Sequence, residues 1–220
     1  MNEPPGVSAL ICVRDGQVHL SQALASVLAQ TAPPAEVLVV DDGSRDGSVE
    51  VARSYAPPVR VIQQPRLGLG AARNTAVSAS SAELVAFLDC DDLWEPRKLE
   101  LQLEAFAGHP GLDFCFTQAV EFAEEGATPR PGPLPGAFSS SLCARREAIE
   151  RAAGFDVDVR VGELLSWLLR ARELGMRELT LPEVLVRRRV HANNITRPKH
   201  NLGDYARLLK ASLDRRRQSA

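Results

Sequence analysis

The sequence predicts an α/β protein with a mostly parallel central sheet covered by helices on both faces, and three observations carry that expectation. Apolar runs of strand length alternate with stretches of helical periodicity through residue 122. Two of those runs, Glu36 to Val40 and Leu84 to Leu88, end abruptly in acidic turns. In open α/β sheets such carboxyl ends form the rim of a ligand crevice. The length, 220 residues, supports one substantial core and favours one domain over two.

Val7 to Val13 is short, apolar and β-rich, the pattern of a buried first strand. Leu20, Ala23, Leu24, Val27 and Leu28 then recur at helical spacing. Glu36 to Val40 makes the second strand and runs into Asp41-Asp42-Gly43-Ser44, a turn-forming cluster ahead of a short helix near Ser48 to Ser54. Val59 to Ile62 is a third strand, and Gly68-Leu69-Gly70 opens a small-residue helix to about Ala79. Strand four, Leu84 to Leu88, carries the Asp cluster, and Leu99, Leu103 and Phe106 mark the inner face of the helix after Pro96. Regularity breaks after about Phe122, and Glu124 to Gly136, rich in Pro and Gly, predicts a loop. Helices follow near Arg145 to Ala153 and over Glu163 to Leu174, the latter stopped by Gly175. Val184 to Val190 reads as a late strand, and Tyr205, Leu209 and Leu213 mark a helical tail ending in Arg215-Arg216-Arg217. The division expected within one domain over residues 1–220 is a nucleotide-binding half (1–122), an acceptor half (123–203) and a C-terminal helical tail (204–220).

Hydrophobic residues make up 45% of the chain and charged residues 25%, with a net charge of −2, an ordinary soluble balance that gives no reason to expect nucleic acid. Cys12, Cys90, Cys115 and Cys143 lack the paired spacing of zinc or redox motifs, which suits reduced thiols in a cytoplasmic protein. No basic leader or membrane-length apolar run is present, so membrane contact, if any, is peripheral.

The chemistry concentrates in Asp89-Cys90-Asp91-Asp92. Three carboxylates at one strand end repel one another, and a shared hard cation such as Mg²⁺ or Mn²⁺ relieves the repulsion through oxygen ligands. A solvated acidic turn capping the next helix is the competing reading. At the other acidic strand end, Asp41-Asp42, a carboxylate can accept a ribose hydroxyl or a base N–H, which suits uracil or guanine better than cytosine or adenine. Gly68-Leu69-Gly70 is half of a dinucleotide fingerprint, but it follows the third strand instead of the first. His191, alone near a strand end, reads more readily as structural than as a ligand.

In order, VSALICV, LSQALASVLAQT, PAEVLVVDDGSRDGS, GLGAARNTAV and ELVAFLDCDDLWEPRKL resemble family 2 of the nucleotide-sugar glycosyltransferases, and GFDVDVRVGELL, LPEVLVRR and RRVHANN extend the likeness more loosely. The resemblance implies a GT-A fold and a metal-dependent, inverting transfer from a nucleotide-diphosphate sugar, a UDP-sugar first. The acceptor could be a glycan, lipid carrier or peptide, in a setting such as cell-envelope polysaccharide biosynthesis. It places Val13 and Arg14 beside the base, Asp42 on the base N–H, Arg73 near the nucleotide, Asp89 and Asp91 at the ribose and metal, Asp91 or Asp92 as direct ligand, and His191 at the metal or diphosphate. In the family the base is the second acid of a Glu-Asp pair opening the late helix. Here that stretch reads Gly162-Glu163-Leu164, which leaves two readings: Glu163 is the base, or the chain is a catalytically silent nucleotide-sugar-binding module.

Overall fold

A computed structural model describes residues 6–124, 127–134, 136–191 and 202–218. Its strands are β1 (Val7–Val13), β2 (Glu36–Asp42), β3 (Val59–Gln64), β4 (Leu84–Asp89), β5 (Leu93–Trp94), β6 (Phe114–Ala123), β7 (Cys143–Arg145) and β8 (Glu178–Val190). Its helices are α1 (Gln17–Leu28), α2 (Ser48–Arg53), α3 (Leu69–Ala79), α4 (Lys98–Gly108), α5 (Arg146–Arg151), α6 (Glu163–Glu173) and α7 (Leu202–Gln218). The eight strands form one sheet in the order β3-β2-β1-β4-β7-β6-β8-β5.

The first four strands pair in parallel, β1 lying between β2 and β4. Because such strands are buried on both faces, their sequences are nearly continuous apolar runs. Alternation still sorts the side chains: Val7, Ala9, Ile11 and Val13 of β1 join the cluster under α1 and α4, while Leu10 joins the cluster under α3, α5 and α6. The result is a helix–sheet–helix sandwich, as the alternating pattern predicts.

The far half of the sheet mixes directions. β7 runs antiparallel to β4 and to β6, β6 and β8 are parallel, and β5 is antiparallel to β8. All four of these far strands differ from the expectation. β5, β6 and β7 lie in stretches assigned to no strand, and β8 begins at Glu178, earlier than Val184. Pro182 and Glu183 hide the early part of β8, since a proline inside a run argues against a strand. The sheet accommodates them by a shift in register, Thr117 pairing with Leu181 and Gln118 with Val184.

Three glycines are required by local geometry. A Cβ at Gly70 would lie 2.2 Å from the Asp156 carbonyl oxygen, so α3 closes against the loop ahead of α6. Gly162 caps α6 at φ 92°, and Gly175 follows the helix at φ 69° as its left-handed stop. In α6 the residues buried at helical spacing are Leu164, Trp167, Leu168 and Ala171, and Leu165 is only partly covered.

Candidate active site

The residues singled out at the strand ends converge on one rim, where β1, β2 and β4 finish side by side: Val13 pairs with Asp41, and Cys12 with Asp89. Parallel register forces this, because strands entering the sheet together leave it together.

On the β2 side the loops are tied to each other. The Asp15 carboxylate accepts the Arg45 N–H at 2.8 Å, the Ser48 hydroxyl accepts the Gly16 N–H at 3.0 Å, and Asp46 accepts the Gln17 N–H at 3.0 Å. These bonds hold the turn after Val13 and Arg14 against the Asp-Gly turn. Val13 is buried; the Arg14 side chain is exposed and lies 3.9 Å from Asp15. Asp42, buried at the end of β2, accepts Gln64 Nε2 and Leu67 N–H on Oδ1, both at 2.8 Å, and Gly68 N–H on Oδ2 at 2.9 Å. It thereby fixes the loop that opens α3, and three donors on about four lone pairs leave it one acceptor site.

Arg73 on α3 is the hub. It is 2% exposed and donates to Glu163 Oε1, to Asp89 Oδ1 at 2.8 Å and to the Ser139 hydroxyl at 2.7 Å. Burial works to lower its pKa, yet the Glu163 and Asp89 carboxylates hold it above the ordinary arginine value. Burial raises Asp89, with the Arg73 guanidinium opposing and Asp91 and Glu163 adding to the rise. Glu163, 6% exposed at the first position of α6, turns its carboxylate onto this guanidinium, whereas Leu164, 7% exposed, packs into the apolar layer with Phe155 and Trp167.

Within the Asp cluster the three carboxylates face different surroundings. Asp91 Oδ2 lies 2.9 Å from His191 Nε2. Asp92, 3% exposed, points inward: Ser140 donates to its Oδ2 at 2.6 Å and the Arg189 N–H to its Oδ1 at 2.9 Å. Burial pushes Asp92 well above the usual carboxylate range, reinforced by Asp91 and Asp89. Among the described residues no group of three or more His, Cys, Asp or Glu side chains is arranged to hold a metal ion. The expected trio of Asp91, Asp92 and His191 is therefore brought together only as the Asp91–His191 pair.

Two groups that shape this rim went unnoticed in the sequence, the Ser139–Ser141 turn and His19. The Ser139–Ser141 3₁₀ turn supplies a hydroxyl to Arg73, a hydroxyl between the Asp89 N–H and Asp92, and carbonyls to Trp94 Nε1 and Gln102 Nε2. A run of three serines was the available signal, with nothing to say what lay beside it. His19 stands 5.3 Å from the His191 ring, centroid to centroid, and 3.4 Å from Glu124. Among the three consecutive arginines of β8, Arg187 is exposed, Arg188 pairs with Glu121 at 2.8 Å, and buried Arg189 donates to the Asp91 carbonyl at 2.8 Å. All four cysteines are free; the β6–β7 register sets Cys115 opposite Cys143, and burial pushes the Cys12 thiol up to about 12.

The fold matches solved structures: S. aureus TarS 1–349 in complex with UDP, at TM-score 0.75 and 19% identity over 94% of this chain and 65% of that one, and the mannosyltransferase PcManGT from Pyrobaculum calidifontis in complex with GDP-Man and Mn²⁺, at 0.71 and 22% over 87% and 59%. Both share the GT-A fold expected from the sequence. In sequence the chain is 41% identical over 104 residues to the uncharacterized glycosyltransferase alr2836 of Nostoc sp. (strain PCC 7120 / SAG 25.82 / UTEX 2576), covering 46% of this chain and 32% of that protein. The chain spans about a fifth to a half of the length of the curated relatives it matches. The profile of Glycosyl transferase family 2 matches residues 8–155, more than half the sequence, and the chain belongs to that family.

Proposed function

We propose that this chain transfers a sugar from a UDP-sugar to an acceptor hydroxyl with inversion, aided by a divalent cation. The observation that carries the reading is the convergence of Asp42, Arg73, Asp89 and Asp91 on one crevice rim in a family 2 glycosyltransferase. Asp42 keeps one acceptor site for the N3–H of uracil. Arg73 sets the spacing between Asp89 and Glu163, so the nucleotide side and the acceptor side are joined through one guanidinium. Asp91 and His191 would hold Mg²⁺ or Mn²⁺: a carboxylate oxygen and an imidazole nitrogen at 2.9 Å fit such an ion when donor phosphates supply other oxygens. Asp92, with both oxygens engaged inward, is assigned a supporting role. A bound cation would neutralise charge on the departing diphosphate. Glu163 takes the acceptor proton as base, using Oε2, since Oε1 faces Arg73. The fold neighbour TarS, solved with UDP, supports the choice of nucleotide.

The second reading, a silent nucleotide-sugar-binding module, is favoured by Leu164, which occupies the family's second acid position and packs in the core. Calorimetry and turnover separate the two. Asp91→Ala should weaken UDP binding in Mn²⁺ about tenfold or more, and Glu163→Gln should lower turnover about 10² to 10⁴-fold with UDP binding nearly intact. Undiminished binding by the first variant removes the metal assignment, and undiminished transfer by the second removes Glu163 as base. A wild-type protein that binds UDP-sugars but transfers to no acceptor or water establishes the module.

A further inference from the structure

α7 has two distinct faces. Tyr205, Leu208 and Ser212 turn inward at helical spacing: the two larger side chains pack closely on Gly162, and the Ser212 hydroxyl donates to Glu173 at 2.5 Å. A neighbouring strip carries Ala206, Leu209 and Leu213, all exposed, with 47% of Leu209 and 54% of Leu213 open to solvent. Leu174, 56% exposed, directly follows Glu173 and so brings a third open leucine to the Ser212–Leu213 end of the helix.

The charges beside this strip have a sign. Lys210 and Arg217 are exposed and seven residues apart, two helical turns, so they form a rail along one side of the leucines, with exposed Asp214 between them and a positive balance left over. Over the whole helix five basic residues stand against Asp204 and Asp214, in a chain whose net charge is −2. A positive helix on a slightly negative protein, with exposed leucines beside its cations, matches an anionic lipid surface, where apolar side chains enter the acyl boundary and ammonium and guanidinium groups stay at the headgroups. No helix among the described residues is long and apolar enough to cross a membrane, so the contact would lie along the surface.

We infer that the Ala206–Leu209–Leu213 face of α7, with Lys210 and Arg217, docks this protein onto an anionic bilayer. The consequence for chemistry follows from position. α7 packs on Gly162, the residue before Glu163, so docking would hold the acceptor side of the crevice at the membrane. That favours an acceptor carried on a lipid, a consequence that rests on the transferase reading, whereas docking itself does not.

The test is co-sedimentation of the full chain with vesicles of phosphatidylcholine alone or mixed with phosphatidylglycerol. Binding is expected only to the mixed vesicles, weakening as salt rises. Leu209→Glu with Leu213→Glu, and separately Lys210→Glu with Arg217→Glu, should each cut partition about tenfold or more, while melting temperature and UDP binding hold. Equal binding to neutral vesicles, no binding to anionic ones, or undiminished binding by either variant overturns the inference. So does a dimer, seen by light scattering, that the leucine variant dissolves, which would assign the face to a second copy. Loss of UDP binding with vesicle binding intact would instead count against the transferase reading alone.

Discussion

Replacing Arg73 tests how the crevice is held together. Arg73→Met keeps the length and apolar stem of the side chain but leaves Glu163, 8% exposed in its side chain, facing no counter-charge. Removing one partner of a buried ion pair costs about 3 to 5 kcal/mol, because the remaining charge stays desolvated. Asp89 contributes less to that loss, since its side chain is 40% exposed and water replaces part of the missing guanidinium. Most of the cost therefore sits on Glu163, and Glu163→Gln in the Arg73→Met background should recover much of it by removing the stranded charge. Glu163→Gln alone should cost less than Arg73→Met, because Arg73 keeps Asp89 and Ser139. Urea unfolding of the four proteins at neutral pH gives the cycle, with a coupling of about 0.5 to 3 kcal/mol expected. A loss below about 1 kcal/mol for Arg73→Met, or additive effects, would refute the idea that this guanidinium joins the two halves of the site.

Two further predictions concern packing and titration. Gly70→Ala adds a methyl group 2.2 Å from the Asp156 carbonyl oxygen, so it should destabilise by about 1 to 3 kcal/mol despite the better helix propensity of alanine; unchanged or raised stability in urea unfolding would show that the loop before α6 yields freely. Lys98 is fully buried, donating to Gln102 at 2.7 Å and lying 4.1 Å from the centre of the Trp94 ring, and burial lowers its pKa from 10.5 to about 8. The folded protein therefore releases this proton as pH passes about 8 while the unfolded chain keeps it to 10.5, so the unfolded state binds more protons in that window and stability rises with pH. At about 1.4 kcal/mol per pKa unit the gain is about 3 kcal/mol, and Lys98→Met should lack it; parallel pH–stability curves for the two proteins would refute the assignment.

What was legible in the sequence was what repeats or what ends a buried strand. The first four strands and their helices declared themselves because a parallel strand buried on both faces leaves a continuous apolar run, and β2 and β4 each hand that run to carboxylates. The far strands were harder. β6 is buried over its first four residues and half-buried over its last four, β7 spans three residues and β5 two, and β8 carries a proline. Their placement depends on partners distant in the chain, which no local period reveals. The same holds at the site. Asp42, Asp89 and Asp91 could be picked out because strand ends gather ligands, but the inward turn of Asp92 depends on Ser140 and Arg189, 48 and 97 residues away.

The opening turn of α6 bears directly on the choice between enzyme and binding module. Consecutive helical residues point about 100° apart, so a helix that aims Glu163 at Arg73 must send residue 164 elsewhere. Here that direction is the apolar layer containing Phe155 and Trp167, a place where leucine gains from burial and an unpaired carboxylate would be costly. The absence of a second acid is thus consistent with the orientation of the whole helix, which Gly162 and the packing of Tyr205 and Leu208 fix from one side and Trp167 from the other. The substitution and the helix setting reinforce each other, so a side chain placed at 164 would not reach the crevice without repacking both. On the transferase reading proposed above, the first turn of α6 offers Glu163 and not residue 164 as the base, so loss of transfer in Glu163→Gln is the outcome that separates enzyme from binding module.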